Sequence, residues 1–246
     1  DGTDLLPSLG FEHPAADNGE DQTVARVRLP APVPPGGSIT LEIGFKAQLP
    51  QVFARTGFRR DYFLVGQWFP KLGVYEPAGT RGRQTGGWNC HQFHAHSEFY
   101  ADYGHFKVEI TVPARFVVGA TGQRKERREN KDGTATHVFE QGDVHDFAWT
   151  TAPDFVEVKR TFSAGKDVTA KEYEEVARLL GRSLQEVQLR DVDITVLVQP
   201  RHMPQAQRYV ESAVLALKYF GLWYGAYPYP TLTVVDPAPG AGGSGG

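Results

Sequence analysis

The stretch Phe106-Lys107-Val108-Glu109-Ile110-Thr111-Val112-Pro113 sets an apolar side chain at every second position, with Lys, Glu and Thr between them. A period of two lays Phe106, Val108, Ile110 and Val112 on one face of a strand and the polar residues on the other. Pro113 ends the run because it lacks the N–H that a ladder requires. Phe116-Val117-Val118 resumes almost at once. The same alternation appears upstream, where Ala25, Val27 and Leu29 alternate with Arg26 and Arg28, and Ile39, Leu41, Ile43 and Phe45 alternate with Thr40, Glu42, Gly44 and Lys46. The intervening Pro30-Ala31-Pro32-Val33-Pro34-Pro35-Gly36-Gly37 suits a turn, so the two runs are predicted to be neighbouring antiparallel strands. Strand-like runs return at 136–139, 144–149, 155–162 and 192–198. The charged block 124–131, closed by Asp132-Gly133, reads as a solvated hairpin tip. These patterns predict one mainly antiparallel β domain over residues 22–200, after a loose segment 1–21 in which Pro7, Gly10, Pro14, Asn18 and Gly19 break any period.

Helical signals are few. Thr169-Ala170-Lys171-Glu172 is a capping box, in which the threonine oxygen takes an orphan amide and the glutamate reaches back to the cap. Tyr173, Val176, Ala177 and Leu180 follow on one face, and Gly181 suits a left-handed stop. Ser183-Leu184-Gln185-Glu186 repeats the box and predicts a shorter helix. After Pro204, Ala206, Val210, Ala213, Leu217, Phe220 and Tyr224 recur every three or four residues, up to Gly225 and ahead of Pro228 and Pro230. Residues 231–235 then read as a buried strand. Residues 201–246 are accordingly expected to open a second domain, with an apolar helix face left without partners.

With 246 residues, 40% hydrophobic and 22% charged, the chain can bury a core, which excludes a disordered or collagen-like polypeptide. A formal charge of −3 gives no basic field for nucleic acid or anionic lipid. A single cysteine, Cys90, excludes an intramolecular disulfide framework and Cys₂ or Cys₄ zinc modules, and leaves the redox compartment open. No apolar run approaches the roughly 20 residues that span a bilayer. The one methionine is Met203, and the sequence runs from Asp1 to the glycine series Gly240-Ala241-Gly242-Gly243-Ser244-Gly245-Gly246, so a piece of a longer protein is expected.

Three constellations could carry chemistry. In Cys90-His91-Gln92-Phe93-His94-Ala95-His96-Ser97-Glu98, a strand would put His94, His96 and Glu98 on one face and His91 on the other. Imidazoles and a carboxylate are competent zinc or non-haem iron ligands. The alternative is an irregular edge strand whose polar groups bond backbone. In Asp143-Val144-His145-Asp146-Phe147-Ala148-Trp149, His145 between two carboxylates has the makings of a general base. Strand alternation, however, puts His145, Phe147 and Trp149 on one face and Asp146 on the other, which favours Asp146 as the partner of buried backbone donors. Gly240-x-Gly242-x-x-Gly245 matches the dinucleotide fingerprint only literally, because Pro237 and Pro239 interrupt its approach; a flexible linker or a native loop fits as well. No G-x-S-x-G, H-E-x-x-H or P-loop occurs.

Several ordered motifs together resemble the N-terminal part of gluzincin zinc aminopeptidases, relatives of membrane alanyl aminopeptidase. They are Gln67-Trp68-Phe69-Pro70-Lys71, Gly87-Trp88-Asn89, Ser97-Glu98-Phe99-Tyr100-Ala101-Asp102-Tyr103-Gly104, the strand ending at Pro113 with Phe116-Val117-Val118-Gly119-Ala120-Thr121-Gly122, and the run from Asp143 to Trp149. Tyr224-Gly225-Ala226-Tyr227-Pro228-Tyr229-Pro230 and the strand leading to Asp236 resemble the opening of the thermolysin-like catalytic domain. The resemblance implies an antiparallel β-sandwich or saddle domain over 22–200, then the first helix and strand of a truncated α/β catalytic domain over 201–246. It implies a parent that uses zinc to remove N-terminal residues from peptides, and a periplasmic or exported location. Gly245 and Gly246 would open a G-x-M-E-N-type loop whose backbone lies along the substrate, and Gln67 would offer a side-chain amide near the substrate's amino end. The zinc ligands and catalytic residues would lie past Gly246, so this stretch alone is expected to hold no zinc, to lack activity and to have the rest of its catalytic domain as partner. Two other readings remain: a non-enzymatic β-sandwich that binds peptide or glycan through Trp68, Trp88 and Tyr100, and a metal-binding module built on His91, His94 and His96.

Overall fold

A computed structural model describes residues 2–15, 18–51, 55–94 and 100–241. The chain is mainly β, with largely antiparallel sheets and few helices. It divides into two compact units, one formed by 1–46 with 69–102 and the other by 47–68 with 103–246.

In the first unit, β1 (Gly10–Phe11) pairs antiparallel with β2 (Ala25–Arg26). Residues 39–45 belong to no strand, and Ile39, Leu41, Ile43 and Phe45 are 40–56% exposed. The expected pairing of residues 25–29 with 39–45 is therefore replaced by a pairing with residues 10–11. Alternation specifies which side chains share a face, but it leaves the neighbouring strand unspecified.

The second unit begins with β3 (Thr56–Arg59) and β4 (Tyr62–Val65), a hairpin. The chain then returns to the first unit for β5 (Val74–Glu76) and β6 (Gly87–Asn89), which pair with each other. Back in the second unit come β7 (Gly104–Pro113), β8 (Val117–Ala120), β9 (Gln123–Glu129) and β10 (Thr134–Val144). The strand read first from the sequence forms as expected: Ile110 and Val112 are buried, Phe106 and Val108 half-buried, and Lys107, Glu109 and Thr111 exposed. β10 runs between β7 and β9. The charged block expected at a hairpin tip is instead the body of edge strand β9, with the turn at 130–133. Exposed charge along an edge discourages pairing with other chains.

The expected strand over 144–149 breaks. Asp143 adopts φ 55°, the register slips between Gln141 and Val144, and regular pairing resumes only at β11 (Trp149–Ala152). β11 lies between β4 and β8 in a four-stranded sheet.

β12 (Val156–Phe162) is followed by the short α1 (Ala164–Asp167) and by α2 (Ala170–Leu180). The box at the start of α2 forms in both directions, and Gly181 closes the helix at φ 63°. The second box also forms, since the Ser183 N–H donates to Glu186 at 2.8 Å, yet residues 183–189 only turn. β13 (Val192–Val198) pairs antiparallel with β12 and parallel with β14 (Thr231–Val235), and α3 (Ala206–Tyr224) crosses between them. This β-α-β unit crosses residue 200, and β14 is half-buried where a buried strand was expected. Val192, Ile194, Val196 and Val198 pack against the helices, while Leu197 points into a second cluster with Tyr62, Ala152 and Phe155. The close approach on that side needs Gly119, because a Cβ there would lie 2.4 Å from Leu197 Cδ1.

The α3 stripe Ala206, Val210, Ala213 and Leu217 is buried as expected, but Phe220 and Tyr224 are 60% and 79% exposed. Gly221 and Leu222 carry the buried face instead, with Leu222 3% exposed and Gly221 lying against Leu189, because the face advances by four residues after Leu217 rather than three.

Candidate functional site

Two clusters in the second unit collect polar side chains from different elements. The first follows β4. Gln67 donates its side-chain N–H to Asp146 Oδ2 at 2.5 Å, and Asp146 Oδ1 accepts the Phe147 N–H at 2.8 Å. Trp68 donates its indole N–H to the Phe147 carbonyl at 2.9 Å and meets Trp149 edge-on, with ring centres 6.4 Å apart. The carboxylate fixes the orientation of the Gln67 amide: its nitrogen is engaged, which leaves the oxygen as the acceptor end. Asp146 fills the backbone-acceptor role expected of it and also reaches 79 residues back to Gln67. His145 is exposed and packs on Tyr103 at 5.8 Å between ring centres. Trp149 also lines a cleft of about 250 Å³ with Leu64, Tyr227, Tyr229, Leu232 and Val235. Its indole N–H is buried without a partner. Both tyrosine hydroxyls are engaged, Tyr227 with the Thr231 carbonyl and Tyr229 with the Asp143 carbonyl.

The second cluster stands where β13 and β14 end. The Asp236 N–H continues the ladder to the Leu197 carbonyl at 2.9 Å. The Asp236 carboxylate, with its side chain 5% exposed, accepts the Gln199 N–H at 2.9 Å and faces His202 Nδ1 at 2.7 Å. Beyond it, Ala238 and Ala241 are buried against Tyr62, Ala152, Phe155 and Leu197. Gly240 sits at φ 75° beneath the Arg59 guanidinium, where a Cβ would lie 2.9 Å from Cζ. Sequence reading passed over His202 and Asp236, which are 34 residues apart and meet only because β13 and β14 are parallel neighbours.

The expected substrate-binding residues fall as follows. Gln67 follows the Val65 end of β4, whereas Ala241 packs beside Tyr62 at the other end. Gly245 and Gly246 lie outside the described residues, as does His96. In the first unit, His91 Nδ1 lies 2.8 Å from the Gln92 carbonyl and its ring stacks on His94 at 5.9 Å. Gln92, 1% exposed, bonds the Ala15 N–H and the Asn18 carbonyl. Among the described residues no group of three or more His, Cys, Asp or Glu is placed to hold a metal ion. Cys90 is half-buried, and burial pushes its thiol up.

Also in the first unit, Glu76 is 3% exposed and gathers Asn89 at 3.0 Å, Tyr100 at 3.1 Å, Arg83 at 3.5 Å and Arg81 at 3.6 Å. The Asn89 bond, with those of Tyr100 and the two guanidinium groups, holds its carboxyl below the usual range. Tyr75 and Trp88, on the paired strands, meet edge-on at 5.5 Å and are 54% and 60% exposed. Among the described residues no helix is long and apolar enough to cross a membrane. No protein-family model matches the chain, and no curated protein matches it in sequence.

Proposed function

We propose that this chain is the N-terminal portion of a zinc-dependent aminopeptidase: a β-sandwich or saddle domain followed by the opening of a thermolysin-like domain. The observation that carries the reading is the β13-α3-β14 unit, whose second strand leads through Asp236 and the buried Ala241 into the glycine series. Chains leaving the carboxyl ends of parallel strands are where α/β folds place their ligands. A glycine-rich backbone there can approach an extended peptide closely and offer it main-chain hydrogen bonds. Gln67, with its amide nitrogen held by Asp146, keeps its oxygen as an acceptor for a substrate ammonium group, but it stands at the other end of β4 from Ala241 and does not carry this reading. The 246 residues contain no H-E-x-x-H pair, so the reading assigns the zinc and its activated water to residues beyond them.

The coding frame and the protein it encodes test this directly. The expected result is Met-Glu immediately after Gly246 and H-E-x-x-H within about a hundred residues, the pattern a helical zinc site requires. The complete protein should then release amine from aminoacyl p-nitroanilides in a chelator-sensitive way. A frame lacking those motifs, or a pure protein that is inactive with zinc, overturns it. The exposed Tyr75 and Trp88 pair favours one second reading, a module that binds peptide or glycan. That reading predicts saturable quenching of Trp88 fluorescence by an oligosaccharide or dipeptide panel, abolished by Trp88→Ala.

A further inference from the structure

We infer that His202 and Asp236 are a positioning pair that fixes how the chain leaves β14 as far as Ala241, the stretch that would lead into the substrate-binding backbone of the proposed aminopeptidase; the substrate half of this inference rests on that proposal.

Asp236 is held through both its backbone and its side chain by β13 and the turn after it. Its own N–H bonds the Leu197 carbonyl on β13, and its carboxylate takes the Gln199 N–H and faces His202 Nδ1 in the turn that follows β13. A carboxylate this buried stays stable only if its lone pairs are met by good donors, so Gln199 and His202 are required partners. The bond to Nδ1 also selects a state of His202: the neutral ring carries its proton on Nδ1, and the charged ring forms an ion pair in the same place. Side-chain exposure of 26% leaves the other edge of the imidazole nearer solvent.

Five residues on, the chain is pinned again. Ala238 and Ala241 are buried, the Ala241 N–H bonds the Ala238 carbonyl at 2.9 Å, and Gly240 turns beneath Arg59. Pro237 and Pro239 restrict φ in between. With both ends fixed and two prolines in the middle, the direction of the backbone at Ala241 depends on the Asp236 anchor. Loss of His202 frees one face of the carboxylate and loosens that end while leaving the β13–β14 ladder intact.

The test compares the wild type with His202→Gln and Asp236→Asn. Hydrogen exchange is read on the amides of residues 236–241, with α2 as the internal control, and the ¹⁵N shifts of His202 report its tautomer. Both variants should speed exchange of those amides at least tenfold with α2 unchanged, and Asp236→Asn should move His202 away from the Nδ1-protonated form. Unchanged exchange, or a His202 tautomer indifferent to Asp236, overturns the pair. In the complete enzyme, His202→Gln should raise KM for aminoacyl substrates by more than it lowers kcat. Faster exchange with unaltered kinetics overturns the positioning role. An inactive wild-type enzyme overturns the proposed function and the substrate half together, while the exchange result still decides the anchor.

Discussion

At the scale of single residues, His137 carries the clearest consequence. It lies 2% exposed on the central strand β10, opposite Ile110 and Arg127, and neither ring nitrogen has a hydrogen-bond partner. Burial, reinforced by Arg124 and Arg127 and opposed by Glu157, lowers its pKa from 6.5 to about 4. Between those two values the unfolded chain binds a proton that the folded chain refuses. Stability should therefore fall as pH drops from 6.5 towards 4, and this contribution should be flat above about 7. Urea midpoints at pH 7.5 and 4.5 measure the effect; His137→Leu should shrink the difference, and an equal drop in both proteins would assign it elsewhere. Gly119 makes a second prediction. A methyl there must displace Leu197, which is fully buried, so Gly119→Ala should cost about 1–3 kcal/mol in chemical denaturation. Neither residue announced itself in the sequence: a histidine in a strand and a glycine after two valines become exceptional only through what other strands bring against them. Asp146 was partly legible as a buried partner, but its bond to Gln67 depends on how β4 and β11 pair.

Among the elements, the two capping boxes separate local from tertiary causes. Both form the same reciprocal bonds, yet only the one at Thr169 opens a helix. A box satisfies end groups, whereas a helix also needs turns enough to outweigh nucleation and a face to bury. α2 has eleven residues with Tyr173 and Ala177 in the core, while the chain after Ser183 must deliver Val187 and Leu189 to the core within a few residues. Thr169→Ala should accordingly destabilise the protein by about 1 kcal/mol, and Ser183→Ala by clearly less; matched thermal or urea unfolding curves check the ranking. Strands β7, β12 and β13 were readable because their alternation or apolar run is long. The run 39–45 alternates just as well and forms no strand, since a strand exists only where another supplies its hydrogen bonds.

For the molecule as a whole, the exposed aromatic face at the end of α3 matters most. Tyr219, Phe220, Trp223 and Tyr224 cluster there with ring centres 5.5–6.4 Å apart and exposures of 38–79%. An apolar surface of this kind favours association. Sedimentation velocity over a concentration series should show self-association of the 246-residue chain together with binding of an apolar dye, both reduced by Phe220→Ser with Trp223→Ser. A monomer without dye binding would show that the patch is inert. By itself the sequence determined the mainly β character, the sites of α2 and α3 and the first part of their buried stripes, up to Ala177 and Leu217, because those follow from side-chain periodicity and end chemistry within a dozen residues. Only the tertiary structure decided that residues 10–11 rather than 39–45 pair with 25–26, that β13 and β14 run parallel, and that Gln67 meets Asp146 and His202 meets Asp236. Those facts depend on which distant segments lie side by side, and hydrophobic burial, which drives collapse without direction, leaves that choice to the register and packing of the whole chain.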